Sequence, residues 1–191
     1  MKERTSVSDP LRIGEVSPGE GFGRIGITFC PGKKHPEAMA GAQNRDLDLD
    51  LDAISAWGAA AVVTLVQIRE LVYLKVPNMG QEVKRRGMKW FHLPIEDMST
   101  PDRAFEVAWK KAGEELRTLL RGGSDVLVHC KGGLGRAGTI AARLLIELGM
   151  EPETAIREVR KARGEGAIEN DAQEDFVRGL RPVPASNATK G

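Results

Sequence analysis

Residues 126–139 read VLVHCKGGLGRAGT, an apolar run that passes into a His-Cys pair, a glycine-rich loop and a helical pattern. Cys130 and Arg136 are six positions apart, with three glycines between them. A loop that returns to the base of a helix can point its backbone N–H groups inward, and the helix N-terminus adds the positive end of its dipole. We therefore predict an oxyanion cradle in which the dipole and Arg136 favour the thiolate form of Cys130.

A thiolate inside an anion cradle is suited to accepting a phosphoryl group on sulfur. Two other interpretations compete with this one. A free cysteine is often simply buried, so Cys130 could be structural. Residues 133–138 also fit the dinucleotide-binding pattern G-x-G-x-x-G, which requires a further strand with an acidic end after the helix. Residues 151–163 have a helical pattern instead, and we discard dinucleotide binding for that reason.

Length and composition narrow the class of protein. The 191 residues predict one domain, and the 41% hydrophobic share is enough for a sizeable core. With 28 basic and 27 acidic residues the net charge is +1, which argues against a nucleic-acid partner. Two cysteines, Cys30 and Cys130, suit a reducing compartment. The polar N-terminus and the lack of a long apolar run predict a soluble, cytoplasmic protein that does not enter a membrane.

Strand-like and helical patterns alternate along the chain, which predicts an α/β fold with a central, mostly parallel sheet flanked by helices. Strands are expected at 24–29, 60–65, 88–93 and 125–129. Helices are expected at 46–57, 68–76, 78–86, 100–120, 138–148, 151–163 and 171–180. We divide the chain into an irregular lead-in (1–23), a catalytic domain (24–180) and a flexible tail (181–191).

The pattern His129-Cys130, five residues, Arg136 resembles the signature of the cysteine-dependent tyrosine and dual-specificity phosphatases. Within that superfamily, CKGGLGR is most similar to the type that associates with cyclin-dependent kinases. The segments 76–78, 94–97 and 166–168 are also similar in order and spacing, so the resemblance spans the whole predicted domain. It implies the dual-specificity phosphatase fold and hydrolysis of phosphomonoesters on proteins through a phosphocysteine, with no metal or other cofactor.

The resemblance also implies roles for individual residues. Cys130 attacks phosphorus, Arg136 clamps two phosphate oxygens, and Asp97 is the general acid, with Glu96 and Asp102 as competitors for that role. Backbone N–H groups bind the other oxygens along the phosphate loop, which comprises Lys131, Gly132, Gly133, Leu134, Gly135 and Arg136. His129 supports the loop and favours the thiolate.

Two residues near the end of the domain each have two possible roles. Gln173 either positions the hydrolytic water or is an ordinary helix glutamine. Arg163 either lies near the phosphate pocket or belongs to a solvated helix face.

One position departs from the superfamily. Ala137 stands where a serine or threonine usually supplies a hydroxyl that helps the sulfur leave the phosphoenzyme. Thr139 is two positions further along the helix and is not expected to replace it. We therefore predict slow breakdown of the phosphocysteine.

Other functions stay open at this stage. A phosphoinositide phosphatase or an RNA 5′-phosphate phosphatase is the rival enzyme, and a catalytically weak phosphate-binding adaptor is the rival of another class. The substrate is expected to be a phosphorylated protein or peptide, and a kinase partner is left open.

Two further features were weighed. The alternating aspartates at 46–52 suit a helix start better than a calcium loop. A reversible disulfide between Cys30 and Cys130 under oxidation is a further hypothesis.

Overall fold

The computed structural model describes residues 3–38 and 41–185. Within them the strands are β1 (Gly14–Val16), β2 (Ile25–Thr28), β3 (Lys34–His35), β4 (Gln43–Asn44), β5 (Ala59–Thr64), β6 (Lys89–His92) and β7 (Asp125–His129). The helices are α1 (Leu47–Trp57), α2 (Ile68–Tyr73), α3 (Met79–Arg85), α4 (Arg103–Arg121), α5 (Gly135–Glu147), α6 (Pro152–Arg163) and α7 (Asp171–Gly179).

Five strands form one sheet in the order β1-β2-β7-β5-β6. The strands β2, β7, β5 and β6 are parallel, and β1 is an antiparallel edge strand, so the predicted mostly parallel sheet is confirmed. In β7 the run Val126–Val128 is completely buried, as expected for a central parallel strand covered on both faces. The register places Thr28 and Thr64 beside His129, so the carboxyl ends of β2, β5 and β7 meet at one edge.

The helices form two groups around this sheet. The helices α4–α7 contact one another and the β1, β2 and β7 side of the sheet, whereas α1 and α3 contact each other and the strands β5 and β6. The helix α5 follows the central strand and is buried along its whole length. The fold therefore fixes the junction between β7 and α5 in the middle of the molecule.

The structure corrects three details of the prediction. Residues 14–16 lie in the lead-in predicted to be irregular, yet they form β1, which is too short to give a sequence pattern. The helix α5 begins at Gly135, three residues early, because the N–H of Gly138 already bonds the carbonyl of Leu134. The two-stranded sheet of β3 and β4 was not predicted. The domain boundaries stay a prediction, and most of the predicted tail (186–191) lies outside the described residues.

The aspartates at 46–52 belong to α1, as predicted. Asp46 caps the helix by accepting a hydrogen bond from Leu49 N at 2.9 Å, and buried Asp50 forms a bidentate pair with Arg45. Across residues 3–38 and 41–185, no group of His, Cys, Asp and Glu is arranged to hold a metal ion. No helix in the same ranges is long and apolar enough to cross a membrane.

Candidate active site

The phosphate loop joins β7 to α5 and encloses the sulfur of Cys130. Cys130 is only 3% exposed, and Gly133 N donates a hydrogen bond to its Sγ at 3.2 Å. Gly133 has a φ of 74°, and a Cβ there would lie 2.5 Å from the backbone of Thr28 and Phe29. The loop is therefore pressed against β2 at a position that only glycine accepts, which turns this N–H toward the sulfur.

Arg136 is 2% exposed and is held on one edge by Glu70. Its NH1 and NH2 atoms donate to the two carboxylate oxygens of Glu70 at 2.7 and 2.9 Å, and NH1 also donates to Ile95 O at 3.0 Å. Burial alone would lower the pKa of Arg136, but the bonds with Glu70 and the proximity of Cys130 raise it above its usual value. The guanidinium therefore stays charged and is fixed in orientation.

The sequence did not predict Glu70. Its carboxylate also accepts the N–H of Gln67 at 2.8 Å, which completes a capping box at the start of α2. Burial works against its ionisation, yet the bonds with Arg136 and Gln67 hold the pKa of Glu70 below its usual value. The spacing from Gln67 to Glu70 is a recognisable capping signal. It does not reveal that the same carboxylate meets an arginine 66 positions further along the chain.

Asp97 lies in the segment 94–102, which we call the acid loop. Its Oδ1 is 2.8 Å from Arg136 NH2, so the structure brings it to the phosphate loop. The two competing carboxylates point elsewhere. Asp102 accepts a hydrogen bond from Phe105 N and caps α4, while Glu96 pairs with Arg69 at 3.4 Å and is largely exposed. Asp97 is thus the one of the three predicted candidates that contacts the loop arginine.

The acid loop is held from the start of α7. Asn170 Nδ2 donates to Met98 O at 3.0 Å, and Gln173 Nε2 donates to Ser99 O at 3.3 Å. Gln173 is fully buried, and its Oε1 accepts the N–H of Glu169 at 2.9 Å. Gln173 therefore lies at the site and ties two loops together, a contact the sequence did not predict. Its predicted role with the hydrolytic water stays a prediction.

His129 lies at the end of β7 and is completely buried. Its Nε2 is 2.8 Å from Thr64 Oγ1, and the same hydroxyl oxygen accepts a hydrogen bond from Trp90 Nε1 at 2.8 Å. Burial lowers the pKa of His129 to about 3, so the ring is neutral near pH 7. These contacts fix the ring at the end of β7, and the role predicted for His129 in favouring the thiolate stays a prediction.

Glu169 is a second carboxylate that the sequence did not predict at the site. Its Oε2 accepts the N–H of Gly135 at 2.8 Å, so one N–H of the phosphate loop is engaged with a protein anion. The preceding Ile168 has a φ of 60°, a strained backbone for a β-branched residue. Arg160 holds this segment by donating to Ala167 O and Ile168 O.

Two positions after Arg136 bear on the prediction that the sulfur lacks a hydroxyl neighbour. Ala137 is completely buried, and Thr139 Oγ1 donates to Gly135 O at 2.8 Å within the helix. The Thr139 hydroxyl is thus occupied by the backbone.

The second cysteine, Cys30, is also fully buried, and burial raises the pKa of its thiol. The hypothesis of a disulfide with Cys130 stays a prediction.

The fold and the site together define a class of protein. A cysteine and an arginine share one anion-binding loop at the carboxyl end of the central parallel strand, and a carboxylate reaches this loop from a neighbouring connection. This is the arrangement of a cysteine-dependent phosphatase. The sequence profile of the family described as "Swiss Army Knife protein, DSP-PTPase phosphatase domain" matches residues 35–186, and the chain belongs to this family.

Named relatives agree with this class. Human cyclin-dependent kinase inhibitor 3 is 32% identical over 165 residues, which cover 85% of this chain and 74% of the relative. Mouse protein tyrosine phosphatase type IVA 3 is 32% identical over 145 residues, 73% of this chain and 74% of the relative. The crystal structure of kinase-associated phosphatase with its catalytic cysteine replaced by serine superposes with a TM-score of 0.76 at 30% identity. That match covers 87% of this chain and 92% of the solved one. The chain is a cysteine-dependent protein phosphatase.

Proposed function

We propose that Cys130, Arg136 and Asp97 hydrolyse phosphomonoesters on proteins in two steps through a phosphocysteine. In the first step the thiolate of Cys130 attacks phosphorus, the S–P bond forms and the P–O bond to the leaving group breaks. Asp97 gives its proton to the departing oxygen. In the second step water attacks phosphorus, Asp97 takes up the proton of the water, and Cys130 leaves as a thiolate.

The observation that carries the proposal is that one edge of the Arg136 guanidinium is bonded to the protein, while its other edge, formed by Nε and NH2, is left for a ligand. The N–H groups of NH1 are both used, by Glu70 and Ile95 O. On the other edge, NH2 has one N–H that is not bonded to Glu70 and lies 2.8 Å from Asp97 Oδ1, and Nε makes no hydrogen bond within residues 3–38 and 41–185. These two N–H groups form a fork that matches two phosphate oxygens.

Substrate binding then moves the carboxylate of Asp97 away from Arg136. A phosphate at the Nε–NH2 edge displaces the Asp97 carboxylate from Arg136, while Glu70 keeps the guanidinium in place. Asp97 is 55% exposed, so it can move toward the leaving group without opening the core. The phosphate also competes with Glu169 for the N–H of Gly135.

We propose a phosphorylated protein as the substrate and dual specificity as the preference, since we find no segment that resembles the tyrosine-recognition loop of the strictly tyrosine-specific enzymes. One relative is named for inhibition of cyclin-dependent kinases, and another is named for tyrosine phosphatase activity. A phosphorylated kinase as partner rests on that likeness. A cytoplasmic location rests on the composition.

The test compares wild type with Cys130→Ser on a phosphotyrosine peptide, a phosphothreonine peptide and a phosphoinositide, with a chelator present. We expect wild type to turn over both peptides and the variant to turn over none. Acid quenching followed by mass spectrometry should find one phosphate on Cys130 of wild type. Faster turnover of the phosphoinositide would favour the lipid phosphatase, and no turnover of any substrate would favour the adaptor.

A further inference from the structure

A groove of about 1150 Å³ opens from the phosphate loop, and two carboxylates share its lining with Cys130 and Arg136. They belong to Asp97, whose Oδ1 lies 2.8 Å from Arg136 NH2, and to Glu169, whose Oε2 accepts the N–H of Gly135 at 2.8 Å. Both of these donors belong to the loop that is predicted to hold the phosphate oxygens. Two protein anions therefore engage groups that the proposed phosphate also needs.

The fold presents Glu169 to the start of α5. Its own N–H donates to Gln173 Oε1 at 2.9 Å, and Arg160 NH2 donates to the preceding carbonyl, Ile168 O, at 3.3 Å. The φ of 60° at Ile168 turns the chain at this point. On the other side, a Cβ at Gly135 would collide with the carboxylate of Glu169, so glycine leaves the space that this carboxylate fills. The approach of Glu169 to the phosphate loop is thus fixed by several contacts.

The carboxylate of Glu169 has no cation within ion-pair distance in the described part of the chain. Two cations of the groove are bonded to the loop backbone instead, since Lys33 Nζ donates to Lys131 O at 3.1 Å and Arg163 Nε donates to Gly133 O at 2.9 Å. Arg163 therefore lies near the phosphate pocket, yet it does not pair with Glu169. The charge of Glu169 is stabilised by one N–H of the loop and by the positive end of the α5 dipole.

A phosphate group needs the same N–H and the same helix end. A carboxylate and a phosphate carrying close to two negative charges repel each other at contact distance, so Glu169 cannot stay on Gly135 when a phosphate binds there. Glu169 is an exposed residue, and its displaced carboxylate can turn into water. The apparent affinity for a phosphate is then lowered by the fraction of molecules in which the N–H is free to receive it.

We propose that Glu169 sets the affinity of the phosphate loop for its ligands, as an internal anion that competes with the phosphate group for the N–H of Gly135. This inference rests on the proposed function. The competition weakens the binding of every phosphate ligand by the same factor, including the inorganic phosphate that the reaction releases. Glu169 therefore limits product inhibition, while contacts of a peptide elsewhere in the groove still select the substrate.

The experiment compares wild type with Glu169→Gln. It measures KM for p-nitrophenyl phosphate and for a phosphotyrosine peptide, and Ki for inorganic phosphate. Glutamine keeps an oxygen that can accept the N–H of Gly135, but it has no charge. We expect both KM values and Ki to fall by the same factor, about three- to tenfold, the range for one charge-assisted bond at a helix N-terminus. The change should appear in KM rather than in kcat, because substrate and transition state gain equally.

Glu165→Gln is the matched control. It removes an exposed carboxylate from the same connection between α6 and α7, at a position that does not line the groove. KM and Ki should keep their wild-type values in this variant. An equal fall of KM and Ki in both variants would show that net charge alone governs the affinity, and it would overturn the proposal.

Two other outcomes would also overturn it. If Glu169 only caps α5, Glu169→Gln will leave KM and Ki unchanged. If Glu169 only repels acidic side chains of a peptide in the groove, KM will fall for the peptide while Ki for inorganic phosphate stays the same.

Failure of the proposed function looks different, because wild type would then be inactive on p-nitrophenyl phosphate. Isothermal titration calorimetry with inorganic phosphate needs no turnover and still tests the competition. Cys130→Ser combined with Glu169→Gln should bind phosphate about three- to tenfold more tightly than Cys130→Ser alone. Equal affinities of these two variants would reject the role of Glu169 whether or not the chain is an active phosphatase.

Discussion

In the proposed mechanism the phosphate loop and the acid loop supply the two halves of the reaction, and they are built in opposite ways. The phosphate loop is buried between the central strand and α5, and its sulfur and arginine are 3% and 2% exposed. The acid loop is open to solvent, and its Met98 has a positive φ of 61°. Side chains from α5 and from the start of α7 hold it in place. The backbone of the cradle therefore follows from the buried junction of β7 and α5, whereas the position of the acid depends on hydrogen bonds from side chains of other elements.

The largest effect that tests this contrast is expected for Asp97→Asn. The substitution removes the proton donor and leaves the phosphate loop intact, so kcat on a phosphopeptide should fall by about 10²–10⁴-fold, the usual contribution of general acid catalysis. A phosphate ester with a good leaving group needs no proton and should lose far less. The measurement is kcat for a series of aryl phosphates whose leaving groups differ in pKa.

Glu96→Gln is the control for Asp97→Asn. It removes the neighbouring carboxylate, which is exposed and paired with Arg69, and kcat should stay at the wild-type value. An equal loss for good and poor leaving groups in Asp97→Asn would contradict the role of Asp97 as the acid. It would indicate that the carboxylate only orients Arg136.

A smaller effect is expected for Asn170→Ser, which tests whether α7 positions the acid. Asn170 also caps α7 by accepting a hydrogen bond from Gln173 N, and serine preserves a cap of this kind. It is too short to donate to Met98 O. We expect kcat on a phosphopeptide to fall by about tenfold at most, the range for one lost hydrogen bond.

The control is the same substitution in the Asp97→Asn background. If Asn170 acts through the acid, the double variant should be no slower than Asp97→Asn alone, because coupled residues are not additive. Additive losses would show that Asn170 acts elsewhere.

The same contrast explains what could be predicted from the sequence. The strand, the glycines, Cys130 and Arg136 are contiguous, so one local pattern predicts the cradle and the helix after it. Asp97 was identified only by resemblance, and its competitors were separated by the structure. The partners Glu70, Glu169 and Lys33 lie far from the loop in sequence and meet it only through the order β2-β7-β5 and the packing of α6 and α7. No local pattern carries that information.

The smallest effect is expected for a change at Ala137, which follows the phosphate loop directly. This residue is completely buried in the first turn of α5, and the hydroxyl of Thr139 is already bonded to Gly135 O. A serine at 137 would offer a hydroxyl to the sulfur of Cys130 and stabilise the thiolate as it leaves phosphorus. One such bond should speed phosphocysteine breakdown by about two- to tenfold.

Pre-steady-state kinetics of Ala137→Ser can assign that gain to the second step. Wild type should release one equivalent of leaving group in a burst and then turn over slowly. The variant should keep the burst rate and raise the steady-state rate, while Ala137→Gly, which adds no hydroxyl, should not. Equal rates of phosphocysteine hydrolysis in wild type and Ala137→Ser would mean that another group already assists the sulfur. Gly133 N, which donates to Sγ at 3.2 Å, would then be the group to examine, and the cradle would be sufficient for both steps.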